Sequence, residues 1–212
     1  TSAASGIGKA IATRLAAEGA CVVIADLDAA KAQAAAEEIG STDVAVGIAA
    51  DVTDERAVQA AVDATVLVFG GIDIVVNNAG ISAVGTVAEN DDAEWSRVLD
   101  VNVIGMARVT AAALPWLRGP AAASVVNVSS IAALNGLPQR ALYSASKRAV
   151  LPLTYAMATD HVPEGRRVNC WCSGTVYTPV VERMLARCRD HCDERAALAA
   201  PQPAILAAAA LP

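Results

Sequence analysis

Short β-rich apolar runs alternate along this chain with longer Ala-rich stretches of helical character, and that alternation constrains the fold more than any other feature. The runs expected as strands are 21–25, 44–50, 72–77, 124–128 and 167–171. Most are continuously apolar rather than alternating, as strands covered on both faces must be. Helices are expected at about 8–18, 29–39, 54–69, 92–117, 143–161 and 179–189. Strand–helix repetition of this kind builds βαβ units, so the expected fold is α/β, a doubly wound parallel sheet of the Rossmann-like type. Pro152 falls well inside the 143–161 stretch, where its missing N–H and its ring predict a bent helix.

Composition removes several functional classes. The 212 residues are 55% hydrophobic and 18% charged, enough apolar material for one substantial core and too little charge for disorder. A formal net charge of −6 supplies no basic field for phosphate backbones or anionic lipid, so no nucleic-acid or membrane partner is expected. The uncharged stretch 119–139 contains Pro, Asn, Ser, Gly and Gln, which lipid does not accept as one helix. No basic segment leading into an apolar core opens the chain, and five cysteines suit reduced thiols, so the expected compartment is the cytoplasm. Cys170, Cys172, Cys188, His191 and Cys192 match no standard zinc spacing, and no metal is expected.

The first candidate site is the opening segment. Ser5, Gly6, Ile7 and Gly8 run straight into helical sequence, a turn whose backbone N–H groups can approach a pyrophosphate at the positive end of a helix dipole. Asp26 closes the 21–25 run 20 residues after Gly6, the distance at which an acidic side chain binds ribose hydroxyls. A carboxylate there repels a 2′-phosphate, which favours NAD over NADP.

The second candidate site is Tyr143 with Lys147. Four residues apart, they share a helix face, and an ammonium beside a phenol favours the phenolate. That suits Tyr143 to general acid–base work, with Ser130 as an oxyanion-type donor to the substrate oxygen. Only two histidines are present and there is no Gly-x-Ser-x-Gly elbow, which disfavours a Ser–His–acid hydrolase.

Taken in order, these segments resemble the short-chain dehydrogenase/reductase family. The resemblance rests on the glycine turn of residues 1–8, Asp51-Val52, Asn77-Asn78-Ala79-Gly80, Asn102, Asn127-Val128-Ser129-Ser130 and Tyr143-Ser144-Ala145-Ser146-Lys147. It extends to about Arg189. It implies NAD-dependent interconversion of a secondary alcohol and a ketone, with Asn102, Ser130, Tyr143 and Lys147 catalytic. It also implies that Ser5, Gly6, Ile7, Gly8, Asp26, Leu27, Asp51, Val52, Asn78, Gly80, Tyr143, Lys147, Val176 and Thr178 hold the cofactor. Lys147 would bind the nicotinamide ribose, Asn102 would anchor a water in a proton relay, and Thr178 would hold the carboxamide.

Departures from the family pattern are Ser2 in place of a glycine, Ser173 in place of a proline, and Arg148 where a small residue is usual. They keep open the alternatives of a non-catalytic dinucleotide binder or an inactive fragment. The substrate is expected to be a small alcohol or ketone, with 135–140 and 174–179 similar to relatives acting on sugars or hydroxy acids. A homotetramer or homodimer is implied for the full-length parent. The family's sheet runs 3-2-1-4-5-6-7 with its first strand just before the glycine motif. Residues 1–212 are therefore expected to form a single domain lacking the first and last strands, with an atypical tail over 196–212.

Overall fold

The computed structural model describes residues 1–117, 123–179 and 181–182. Six α-helices and five strands alternate: α1 (Gly6–Ala17), β1 (Val22–Asp26), α2 (Ala29–Ile39), β2 (Ala45–Ala49), α3 (Glu55–Phe69), β3 (Ile74–Asn77), α4 (Asp92–Leu99), α5 (Gly105–Ala113), β4 (Ser124–Ser130), α6 (Ala141–His161) and β5 (Arg167–Ser173). Every strand pairing is parallel, giving one sheet β1-β2 and another β3-β4-β5. The expected α/β Rossmann-like architecture is present. The proposed helix at 179–189, Cys188, His191, Cys192 and the 196–212 tail lie outside the described residues, apart from the first residues of that helix. Among the described residues, no helix is long and apolar enough to cross a membrane.

Helix starts follow from side-chain chemistry. Asp28, Asp54 and Asp91 cap α2, α3 and α4, each accepting from a backbone N–H in the first turn. Gly70 ends α3 in the left-handed conformation, at φ 81°. Helix α6 runs through Pro152 without ending. Pro152 is solvent-exposed, so the unpaired carbonyl one turn earlier can turn to water instead of being stranded in the core.

Register in the larger sheet is held by polar as well as apolar contacts. Val75, Val125 and Val168 are buried together across β3, β4 and β5. Asn77 and Asn127 are register partners, and Asn77 Nδ2 donates to Asn127 Oδ1 at 2.8 Å and to Thr110 Oγ1 at 2.9 Å. Asn127 in turn donates to Thr154 Oγ1 at 3.0 Å. A one-residue slip would break this chain of buried amides and hydroxyls.

A cavity of about 430 Å³ lies between the two sheets, lined by β1 and β3 residues, among them Val22, Val23, Val75 and Val76. Its carboxyl end is closed by the first residues. Ala3 N donates to Ala25 O at 3.2 Å, and the Thr1 amine donates to Val76 O at 2.9 Å. Residues 1–3 thus bridge the two sheets where a central strand is expected by resemblance.

The expected single helix over 92–117 differs. It divides into α4 and α5 around a π-helical turn, Asp100–Ile104. Asn102, fully buried, sits in that turn and spends its side chain on distant partners. The wider turn re-aims one residue without ending the helix, a common use of π-bulges at functional sites. Gly105 then lets α5 approach Val52, whose methyl would lie 2.8 Å from any added Cβ.

Candidate active site

The site gathers at the carboxyl ends of β1, β3 and β4. Ser130 is the last residue of β4, and its Oγ accepts from Ala132 N at 3.2 Å, capping the short turn of residues 131–133. Tyr143 enters from the first turn of α6 with its phenol within the influence of the Ser130 side chain. Burial pushes the phenol above its ordinary range, while Ser130 and the Arg140 guanidinium pull it back down.

Lys147 lies one turn further along α6 and is 4% exposed. Its Nζ donates to Val128 O at 3.0 Å, and the same residue's carbonyl accepts from Ser129 Oγ at 2.7 Å. Burial lowers the amine to about 8, while Cys170 and Cys172 on β5 favour its charged form.

Asn102 connects the elements behind this pair. Its Oδ1 accepts from Ile81 N at 2.8 Å, and its Nδ2 donates to Ile81 O at 2.9 Å and Ser146 Oγ at 2.9 Å. Gly80 completes the wall: a Cβ there would sit 3.0 Å from Lys147 Nζ and 3.3 Å from Asn102 Oδ1.

The opening turn fits phosphate. Helix α1 has no acidic residue in its first turn and, unlike α2, α3 and α4, no side-chain cap. Its leading N–H groups are thus left for an external acceptor. Gly6 adopts φ +56°, and a Cβ on Gly8 would come within 2.5 Å of Ser2 O and 2.7 Å of Asn78 Nδ2. Asn78 holds the turn through Thr1 O at 3.2 Å and Ser2 O at 3.0 Å. Thr178 packs 3.6 Å from the position of a Gly6 Cβ and caps the turn that follows it, with Val181 N donating to its Oγ1 at 3.4 Å.

Other expected cofactor residues are placed differently. Asp26 stands at the end of β1, but its oxygens accept from Ala4 N at 3.1 Å and Asp28 N at 3.3 Å, tying β1 to the glycine turn. Asp51 Oδ1 accepts from Thr53 N at 2.8 Å and Thr53 Oγ1 at 2.7 Å. Val52 is buried in the core, while Leu27 and Val176 are exposed.

Residues 1–188 match the family model for short chain dehydrogenase. The chain belongs to the short-chain dehydrogenase family. It is 42% identical over 185 residues to trans-4-hydroxycyclohexanecarboxylate dehydrogenase of Sinomonas cyclohexanicum, covering 84% of this chain and 71% of that protein. It is 38% identical over 191 residues to L-fucose dehydrogenase of Mus musculus, covering 90% and 68%. The crystal structure of 3-ketoacyl-(acyl-carrier-protein) reductase from Brucella melitensis complexed with NADH superposes with a TM-score of 0.80 at 37% identity, covering 85% of this chain and 76% of that one. This short-chain dehydrogenase is accordingly an oxidoreductase acting on CH–OH groups and the corresponding carbonyls.

Sequence reasoning missed Ser146 and the Thr1 hydroxyl. Ser146 lies between Tyr143 and Lys147 and donates to Tyr143 O at 2.8 Å while accepting from Asn102. Thr1 Oγ1 accepts from Asn78 N at 3.2 Å and Ala79 N at 3.1 Å. The (i, i+3) spacing of Ser146 from Tyr143 was the one local signal for the first. Nothing local marks the second.

Proposed function

We propose that Ser130, Tyr143, Lys147 and Asn102 together interconvert a small secondary alcohol and its ketone, with NAD as the partner in hydride transfer. The placement of Ser130 at the end of β4 and Tyr143 in the first turn of α6 carries this reading, because it brings two hydroxyls that can share a substrate oxygen to one end of the sheet. NAD, when bound, supplies the hydride acceptor at nicotinamide C4.

In oxidation Tyr143 takes the hydroxyl proton, and in reduction it returns one to the carbonyl oxygen. Ser130 orients that oxygen and donates to it as negative charge develops. Lys147 would hold the nicotinamide ribose and add positive charge near the phenol. Asn102, fixed by Ile81 and Ser146, anchors the water side of a proton relay that ends on Lys147.

The N–H groups of Ser5, Gly6, Ile7 and Gly8 would receive the pyrophosphate, and Asn78, Gly80 and Thr178 would line the nicotinamide end. Asp26 at the end of β1 favours NAD over NADP, through repulsion of a 2′-phosphate. Leu27, Asp51, Val52 and Val176 flank the dinucleotide in the same reading. A sugar or hydroxy acid is the proposed substrate class, and the cytoplasm the proposed compartment. Exposed Ile104 and Tyr155, on the π-turn and α6, support a homodimer or homotetramer built on those helices.

The test is direct. NADH titrated into the full chain should bind, and an alcohol panel with NAD should show turnover. Tyr143→Phe should abolish oxidation and leave NADH binding intact; oxidation surviving in that variant would remove Tyr143 from the chemistry.

A further inference from the structure

Arg140 immediately precedes α6 and stands three residues before Tyr143, so its side chain begins one helical turn from the phenol. Its backbone is held against a separate loop. Gly85 N donates to Gln139 O at 2.9 Å, Ala141 N donates to Gly85 O at 3.3 Å, and Gly85 and Arg140 form a parallel bridge. The arginine is therefore carried one helical turn before Tyr143 by a segment whose backbone is anchored to Gly85.

What this guanidinium lacks is an anion. Arg14, Arg108 and Arg166 pair with Glu18, Asp100 and Glu164, whereas Arg140 makes no ion pair among the described residues. Its recorded hydrogen bonds go from Nη1 to two neutral carbonyls, Ala83 O at 3.5 Å and Gln139 O at 3.3 Å. Carboxylates of the neighbouring loop are already engaged: Glu89 accepts from Thr86 N at 2.7 Å, and Glu94 accepts from Asn90 Nδ2 at 2.9 Å. A half-buried arginine with no carboxylate partner among the described residues, in a chain of net charge −6, is no part of a general basic surface.

We propose that Arg140 is a specificity-determining residue, and that the alcohol or ketone taken by this site bears a carboxylate that the Arg140 guanidinium binds. This deepens the dehydrogenase reading above and rests on it. The planar fork matches a carboxylate in two parallel hydrogen bonds, which fixes the rest of the molecule in direction as well as position. With the acid end on Arg140, the hydroxyl-bearing carbon is presented to Ser130 and Tyr143 one helical turn away.

The experiment compares 4-hydroxycyclohexanecarboxylate with its carboxamide as substrates with NAD. It also compares the corresponding oxo acid and oxo amide as ligands, followed by NMR with NADH present. Wild-type chain should prefer the acid of each pair. In Arg140→Gln the acid-to-amide ratio, in kcat/KM and in affinity, should fall about 10- to 100-fold, the range of one charged hydrogen-bonded contact. Arg140→Lys, which keeps the charge without the fork, should fall between the two and controls for folding. A ratio unchanged in Arg140→Gln, with both alcohols still oxidised, overturns the carboxylate assignment and leaves the dehydrogenase reading standing. Preferential binding of the oxo acid that depends on Arg140, with neither alcohol turned over, supports the anion site and overturns the assignment of Tyr143 chemistry.

Discussion

Lys147 Nζ donates to the carbonyl of Val128 at 3.0 Å, so a buried ammonium is held by a β4 backbone oxygen rather than by a carboxylate. No acidic side chain offsets its desolvation, which lowers the amine from 10.5 to about 8. Because the folded chain holds this proton less tightly than the unfolded chain, stability is lowest below pH 8, where both states carry the charge. It rises between pH 8 and 10.5 as the folded amine sheds its proton first. The gain is on the order of 3 kcal/mol at about 1.4 kcal/mol per pH unit. Denaturant midpoints measured from pH 7 to 10 should climb in wild type and lose this component in Lys147→Met.

Tyr143 has the opposite sign. Burial holds its phenol above the ordinary value, with Ser130 and Arg140 giving only partial relief. Oxidation requires the phenolate, so its kcat/KM should increase continuously from pH 6 toward 10, whereas reduction, which uses the phenol, should not increase. Tyr143→Phe should lower both by about 100- to 10,000-fold, and rate profiles in the two directions check the sign.

Asn102 ties the π-turn to Ile81 and Ser146 through three hydrogen bonds. Asn102→Ala strands the Ile81 amide in the interior and should cost about 1–3 kcal/mol, read by thermal or denaturant unfolding. Activity should fall further than occupancy of the folded state accounts for, since the same side chain supports the proton relay.

Ser2 occupies the left-handed region at φ 50°, a conformation that costs an L-residue on the order of 1–2 kcal/mol. Ser2→Gly removes that cost and adds backbone entropy to the unfolded chain. The net expected effect is stabilisation of about 0.5–1 kcal/mol, measured by urea unfolding.

Asp26 joins two functions that a substitution can separate. Asp26→Asn keeps an oxygen for the Ala4 amide while removing the charge. The kcat/KM preference for NAD over NADP should fall by about tenfold or more, the equivalent of roughly 1.4 kcal/mol, with the fold retained. An unchanged preference would assign cofactor choice to another residue.

Most of this fold is legible in the sequence. The five strands lie within two residues of where apolar runs placed them, because a buried parallel strand and an Ala-rich helix leave different local patterns. Tyr143 and Lys147 stand out by residue type and helical spacing and Ser130 by its hydroxyl, whereas Asn102 enters only through the family resemblance. The break of the 92–117 stretch at Asn102 is not legible there, since nothing near Asn102 in sequence records that its partners are Ile81 and Ser146.

What the amino-acid sequence determined by itself was local: periodicity, the aspartates that open helices, the glycine turn before α1, and the helical spacing of Tyr143 and Lys147. Contacts between residues far apart in the chain belonged to the tertiary structure. It turned Asp26 onto the Ala4 amide, set the Lys147 amine on the Val128 carbonyl, and left the Arg140 guanidinium without an anion among the described residues. The reason is physical. A charged or polar side chain finds its partner after the strands and helices have packed, and burial then decides which of its possible bonds is worth forming.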